Sequence, residues 1–244
     1  MAGHALPGTR AGGPGAESDG VRSEMEFVAG RDYRARFQGV ADVAGDGPAG
    51  HIHGGVAHGL VGIGDIAVDW KTRTIWVGTG EVNSSRSSYA GVGIYKSADN
   101  GKTWEYLGLP ETHHIGKILL HPTDSKTVWV ASLGHLYTPN KDRGVFKTTD
   151  GGETWNKILF TNDTSGVADM IMDPSNPNKI FAAMWQHRRT PWSLSSGGVG
   201  SGLYMTYDGG KNWKKLGAKE GLPEGNYGRI GLAISRSNPN RVYA

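Results

Sequence analysis

The chain of 244 residues carries 26 basic and 23 acidic side chains, so its formal net charge is only +3, and no dense Lys/Arg run predicts a nucleic-acid partner. It contains no cysteine, which excludes disulfides, thiolate metal ligands and cysteine nucleophiles. With 37% hydrophobic residues it can form a packed core, but no stretch is apolar over the length needed to span a bilayer.

Residues 1–60 are rich in Gly, Ala and Pro and show little sustained periodicity outside 25–37, so we predict a loosely ordered segment without a visible secretion signal. His51, His53 and His58 stand here among glycines. Alternate strand residues point the same way and imidazole binds zinc or copper, but no cysteine or carboxylate completes a ligand set. We interpret these histidines as part of a solvated loop, and the sequence predicts no metal and no cofactor.

From residue 61 onward, a unit of four short apolar strands recurs about every 50 residues. The predicted strands are 63–70, 74–80, 91–97 and 103–107 in the first copy, 114–121, 127–132, 144–148 and 154–160 in the second, and 167–173, 179–185, 202–206 and 212–216 in the third. A fourth copy begins at Tyr227 and reaches Ala244 inside its second strand. The corresponding units are 61–110, 111–162, 163–220 and an incomplete 221–244.

A four-stranded meander repeated at this period is typical of an all-β fold, the β-propeller, whose blades pack radially. An open β-solenoid or a sandwich is the alternative. About three and a half blades cannot close a ring, and each blade buries its apolar face only against neighbours. We therefore expect missing blades from a longer protein, or another copy of the chain, to complete the propeller.

One phrase recurs between the third and fourth strands of each unit, at residues 97–104, 148–155 and 206–213. The second copy reads Thr-Thr-Asp-Gly-Gly-Glu-Thr-Trp, which predicts a hairpin loop whose Asp accepts backbone hydrogen bonds and whose Trp anchors the turn. The Asp positions are Asp99, Asp150 and Asp208. They belong to the face of a propeller opposite its usual ligand face, so we interpret them as structural.

The phrase resembles the Asp box, or bacterial neuraminidase (BNR) repeat. Residues 77–81, 114–117, 143–147 and 189–198 are similar to parts of large bacterial proteins related to the sortilin propeller and often labelled BNR-repeat glycosyl hydrolases. The resemblance implies a propeller and an extracellular or periplasmic location. It implies no single activity, because Asp boxes occur in sialidases, xyloglucan-cleaving enzymes and sortilin-like receptors. The Arg-Ile-Pro phrase of classical sialidases is missing from the sequence, which disfavours that activity.

The loops between second and third strands, the B–C loops, are long and unlike each other, and variable loops on a rigid scaffold often carry function. They cover residues 81–90, 135–142 and 186–200. The candidate ligand-binding residues are Glu81, Asn83 and Arg86, then His135 and Tyr137, then Arg188, Arg189 and Trp192. Guanidinium groups bind carboxylates and the indole stacks on sugar or peptide faces. The alternative is that the third loop simply packs on the next blade.

Charge recurs at one position of the first strands, where Asp65, Lys117 and Asp169 follow each other at intervals of 52 residues. The three can form a network that satisfies itself and joins neighbouring blades. Alternatively, Asp65 and Asp169 form the carboxylate pair of a glycoside hydrolase, which requires a separation of roughly 5 to 9.5 Å. In that case Lys117, also a candidate ligand contact, holds one carboxylate ionised while burial raises the pKa of the other.

Three functions follow from these features. The first is a ligand-binding propeller segment that recognises a peptide or glycan on its B–C loop face. The second is a glycoside hydrolase that acts on a polysaccharide. The third is a structural or assembly propeller without catalysis.

Overall fold

The computed structural model describes residues 26–28 and 62–244, so the interpretation of His51, His53 and His58 lies outside the described residues. The fold is a partial β-propeller of three four-stranded antiparallel blades and the start of a fourth. Two short 3-10 helices, Pro110–Thr112 and Ala218–Glu220, interrupt the strands. Within these ranges, no helix has the length and apolar character to cross a membrane.

Each blade follows the predicted meander. The first contains β2 (Ile63–Asp69), β3 (Thr74–Thr79), β4 (Ile94–Ser97) and β5 (Glu105–Tyr106); the second contains β6 (Ile115–Leu120), β7 (Val128–Ser132), β8 (Gly144–Thr148) and β9 (Asn156–Leu159). The third contains β10 (Ser165–Asp173), β11 (Asn176–Arg189), β13 (Gly202–Thr206) and β14 (Lys214–Lys215), with β12 (Leu194–Ser196) paired to β11. The fourth begins with β15 (Ala233–Ile234) and β16 (Arg241–Tyr243), which pairs in parallel with β1 (Glu26–Val28).

Strand β1 shows that three residues of the segment 1–60, which we expected to be loosely ordered, join the fourth blade. The boundary at residue 60 and the blade limits stay predictions.

The apolar cores lie between the blades. The first core contains Trp76, Ile94, Leu107, Ile115, Ile118, Val128, Val130 and Phe146; the second contains Trp129, Ala131, Val145, Leu159, Val167, Met170, Ile180, Ala182 and Met184. Strand β7 contributes to both cores, and all five of its residues are buried. A strand buried on both faces reads as a continuous apolar run, which explains the sequence Val-Trp-Val-Ala-Ser.

The Asp boxes form the predicted hairpin turns between third and fourth strands. Asp150 accepts hydrogen bonds from Thr148 Oγ1 at 2.6 Å and from Thr154 N at 3.0 Å, while Thr148 Oγ1 accepts one from Gly152 N at 3.0 Å. Such bonds favour the ionised carboxylate; in the first box, the Thr103 side chain is the main cause that lowers the pKa of Asp99 to about 2. The structural interpretation of these aspartates agrees with this geometry.

The second and third Asp boxes also join their blades to the preceding ones. The carbonyl oxygen of Gly209, in the third box, accepts hydrogen bonds from Trp129 Nε1 at 3.1 Å and from Lys147 Nζ at 3.0 Å, both in blade two. Lys96 Nζ of blade one donates in the same way to Gly151 O of the second box at 3.2 Å. The repeated turn therefore fixes both a hairpin and a blade interface.

The tryptophans of the first two Asp boxes are half-buried, and we predict that removing their indole N–H groups lowers the free energy of unfolding by different amounts. Trp155 Nε1 donates to Leu107 O of the preceding blade at 2.8 Å, whereas Trp104 Nε1 donates to Gly101 O of its own hairpin at 3.1 Å. Trp155→Phe should lower the free energy of unfolding by about 1 kcal/mol, because it leaves an interblade acceptor unsatisfied, and Trp104→Phe should lower it less. Urea unfolding measures both, and equal losses would contradict an interblade role.

Candidate functional site

The three B–C loops meet on one face of the blades. Arg86 Nη1 of the first loop donates to Pro191 O of the third at 3.1 Å, and Tyr137 Oη of the second donates to Arg86 O at 2.8 Å. Arg189 N of the third loop donates to Leu136 O of the second at 3.1 Å. These contacts bring residues of three separate loops into one surface, with Arg86 at the junction.

The third loop differs from the predicted one. Instead of leaving the sheet at residue 186, β11 continues to Arg189 and returns as β12, so that residues 190–193 form the turn of a hairpin. Trp185 Nε1 donates to Ser196 Oγ at 3.1 Å and fixes the returning strand. The hairpin leaves the Trp192 side chain 84% exposed at its tip. Arg188 is also exposed, whereas Arg189 is half-buried.

The loop face presents several aromatic rings to solvent. Tyr89, Tyr137 and Trp192 are 56%, 42% and 84% exposed. Of the other candidates in the first loop, Asn83 is exposed and Glu81 is half-buried. Exposed rings beside guanidinium groups can stack on the apolar faces of a ligand while the cations bind its oxygens.

The charged residues of the first strands contact the neighbouring blades. Asp65 Oδ2 accepts a hydrogen bond from Ile118 N at 2.8 Å, and Asp169 Oδ2 accepts one from Leu232 N at 2.8 Å. Lys117 Nζ lies 3.6 Å from Asp65 Oδ1. Burial raises the pKa of both carboxyl groups, an effect that the Lys117 charge opposes. Both aspartates thus connect one blade to the next, and their predicted catalytic role stays a prediction.

Arg143 supports the second B–C loop, a role that was not predicted from the sequence. Its side chain is 1% exposed, and its guanidinium donates to Leu133 O at 2.6 Å, His135 O at 2.5 Å and Thr138 O at 3.2 Å. Five donors in a fixed fork suit several carbonyl groups at once. Burial lowers the pKa of Arg143 to about 10, so the guanidinium stays charged near neutral pH.

An open pocket of about 220 Å³ lies between the second B–C loop and the segment that precedes β6. It is lined by Ser88, Ala90, His113, His114, His135, Leu136, Tyr137 and Thr138. His114 is 3% exposed, and burial lowers its pKa to about 4. The imidazole of His114 is therefore neutral near pH 7.

A carboxylate and two imidazoles meet beside this pocket. Glu111 Oε2 lies 3.2 Å from His135 Nε2 and 4.0 Å from His113 Nε2, and the two histidine rings stack with their centroids 3.7 Å apart. The sequence offered His135 as a ligand contact, but it gave no signal for Glu111. The contact joins the connection between blades one and two to the second B–C loop, and it is the one place among residues 62–244 where three such groups converge as metal ligands would.

Known proteins share this architecture. The family model for Sortilin-Vps10, described as sortilin, neurotensin receptor 3, matches residues 93–222. A curated relative from Neosartorya fischeri, named "Probable oligoxyloglucan-reducing end-specific xyloglucanase", is 22% identical over 162 residues, which cover 64% of this chain and 18% of the relative.

Two solved structures have a similar fold. The GH74 xyloglucanase from Xanthomonas campestris superposes with a TM-score of 0.52 at 21% identity, covering 74% of this chain and 26% of that enzyme. The GH74 enzyme of Niastella koreensis gives a TM-score of 0.51 at 19% identity, covering 72% and 24%. The chain spans only 18% to 26% of the length of these relatives, and the likeness shows the propeller fold.

We predict a pH-dependent contribution to stability from His187, which is 3% exposed and stacks on Trp185. Burial, and next the Arg143 charge, lower the pKa of His187 to about 4 in the native state. As the pH falls from about 6.5 through about 4, the unfolded chain binds a proton that the native protein does not, so stability is lost in this window.

The His187→Gln variant should lack this loss, which is on the order of 2 kcal/mol in wild type. Urea unfolding at several pH values measures it as a difference between variant and wild type, in which other titrations cancel. Parallel pH curves for wild type and His187→Gln would refute the assignment.

Proposed function

Because this chain belongs to the Sortilin-Vps10 family, we propose that the face formed by its B–C loops binds a ligand, and that the ligand is a glycan. The contact that carries this proposal is the junction at Arg86, which ties the first loop to the second and third. A surface fixed by such contacts loses little conformational entropy when it binds.

The side chains of this face favour a sugar chain over a peptide. Tyr89, Tyr137 and Trp192 offer rings to the apolar faces of pyranoses, and Arg86 and Arg188 offer donors to hydroxyl or carboxylate oxygens. Two of the relatives above carry the name xyloglucanase, which makes xyloglucan the first polysaccharide to test. A peptide ligand is the alternative outcome.

We predict that Trp192→Ala weakens binding to xyloglucan by about tenfold, because stacking of one sugar on one ring contributes about 1 to 1.5 kcal/mol. Trp70→Ala is the matched control, since Trp70 is also 84% exposed but lies in the turn between β2 and β3, on the opposite face. Affinity electrophoresis in gels with and without xyloglucan measures retardation. Equal retardation of the Trp192→Ala variant and wild type would contradict the proposal.

The second candidate function is glycoside hydrolysis by Asp65 and Asp169. Burial raises the pKa of both carboxyl groups, as a general acid requires, and Lys117 next to Asp65 can hold a carboxylate ionised. In this mechanism, one carboxyl group protonates the leaving oxygen while the other acts as base or nucleophile. Because each aspartate also accepts a backbone N–H of the next blade, substitution affects stability as well.

We predict that wild type releases reducing ends from xyloglucan if this second function is right, and that Asp65→Asn and Asp169→Asn lower the rate by about 100-fold or more while binding persists. Glu153→Gln, which changes an exposed carboxylate in the second Asp box on the opposite face, is the control. Urea unfolding identifies variants that lose activity by unfolding. If wild type binds xyloglucan without releasing reducing ends, hydrolysis is excluded. If wild type neither binds xyloglucan nor releases reducing ends, an assembly role is favoured, in which missing blades or another copy complete the ring.

A further inference from the structure

We propose that Glu111, His113 and His135 form a binding site for a divalent transition-metal ion, with Zn²⁺ as the ion that this ligand set suits best. Two imidazoles and one carboxylate are the protein ligands of zinc sites that keep a coordination position open. The same set also binds iron(II) and related ions. The site does not depend on the glycan proposal, since it rests on its own three side chains.

The distances between the ligand atoms suit a single ion. One nitrogen or oxygen from each residue lies within 4.8 Å of the others, and the Glu111–His135 contact measures 3.2 Å. A tetrahedral zinc ion with bonds of about 2.1 Å separates neighbouring ligand atoms by about 3.4 Å. The rings of His113 and His135 lie within 20° of parallel, and their Nε2 atoms lie 4.0 Å and 3.2 Å from the same Glu111 Oε2.

The ring of His135 is held by a second contact of the kind that zinc ligands have. Its Nδ1 lies 3.0 Å from Thr138 Oγ1. When Nδ1 carries the proton and donates it to this hydroxyl group, the lone pair of Nε2 is left facing Glu111 and is available to a metal. Arg143 fixes the backbone at the same point, because its guanidinium donates to the carbonyl oxygens of both His135 and Thr138.

The Asn140 side chain forms hydrogen bonds to both segments that supply the metal ligands, one at Glu111 and one at His135. Its Nδ2 donates to Glu111 O at 2.9 Å, and its Oδ1 accepts a hydrogen bond from His135 N at 3.0 Å. One amide therefore sets the spacing between the 3-10 helix that carries Glu111 and the B–C loop that carries His135. This contact aligns the ligand backbones before any ion binds.

His113 occupies a strained backbone conformation, which is a second and independent sign of function. Its φ of 50° and ψ of −43° place it at the centre of a γ-turn closed by His114 N and Thr112 O at 2.5 Å. This turn is rare for residues other than glycine and persists only where surrounding contacts enforce it. Gly91 N supplies such a contact by donating to His113 O at 2.5 Å. The fold thus keeps an imidazole where a glycine would fit more easily.

The open side of the cluster faces the pocket. His113 and His135 both line it, together with Ser88 and Tyr137, so a bound ion would have room there for water or for an oxygen of a ligand. An ion at this position would add a positive charge to the face formed by the B–C loops.

The test must separate this cluster from the four histidines of the segment 1–60, because any accessible imidazole is a potential zinc ligand. A background variant of the full chain therefore carries His4→Gln, His51→Gln, His53→Gln and His58→Gln, and it is purified with a tag that contains no histidine. Calorimetric titration with Zn²⁺ alone then measures stoichiometry and affinity. We expect one ion per chain in this background. A background variant that binds no Zn²⁺ would overturn the proposal.

Within that background, Glu111→Gln and His135→Gln should each weaken Zn²⁺ binding by about 100-fold, because each removes a ligand. Asn140→Ala should weaken it by about tenfold, because Asn140 positions the ligands and does not itself bind the ion. His121→Gln, on the opposite face, should leave the affinity unchanged. The Glu111 side chain is 62% exposed, so its substitution leaves the fold intact. Co²⁺ provides an optical readout, and its visible absorption should disappear with His135→Gln. Unchanged Zn²⁺ affinity in the Glu111→Gln variant would refute the site.

Discussion

Burial of apolar surface between blades is the constraint on which the rest of this structure depends. A four-stranded sheet with two apolar faces cannot keep either face from water by itself, and here the cores form where one blade meets the next. Polar contacts at both ends of an interface fix the orientation of one blade relative to the next. Between blades one and two, Gly151 O accepts a hydrogen bond from Lys96 Nζ near the outer turns, and Asp65 Oδ2 accepts one from Ile118 N near the inner strands. Blade packing and blade orientation are therefore set by different residues.

The features that sequence predicts well are those determined by contacts within a few residues. An Asp box is closed by Thr148, Asp150 and Thr154, which lie within seven positions, so their spacing alone identifies the hairpin and its place between third and fourth strands. The strands follow from apolar patterning between these turns. Repetition then predicts the propeller, and the 52-residue interval predicts that Asp65 and Lys117 lie close together, which their 3.6 Å contact bears out.

The features that sequence did not predict depend on contacts between distant positions. Glu111 reaches His135 only because the loop before β6 and the second B–C loop lie side by side, and the repeat interval does not predict this contact between them. The acceptors of Arg143 are backbone carbonyl groups, which every residue type has. The role of Arg143 could therefore not be derived from the sequence. The extension of β11 to Arg189 was missed since polar residues at its end interrupt the apolar pattern.

The anchoring of the second B–C loop has a consequence for how such a surface can diversify. Arg143 directly precedes the following strand, and its guanidinium donates to main-chain oxygens in and beside the loop, at Leu133, His135 and Thr138, as well as to Thr164 O. Carbonyl oxygens are common to every amino acid, so this anchor is indifferent to the side chains displayed above it. Side chains that contact a ligand can then be exchanged by substitution or grafting while the loop keeps its backbone conformation. Ligand specificity can therefore evolve without loss of the scaffold.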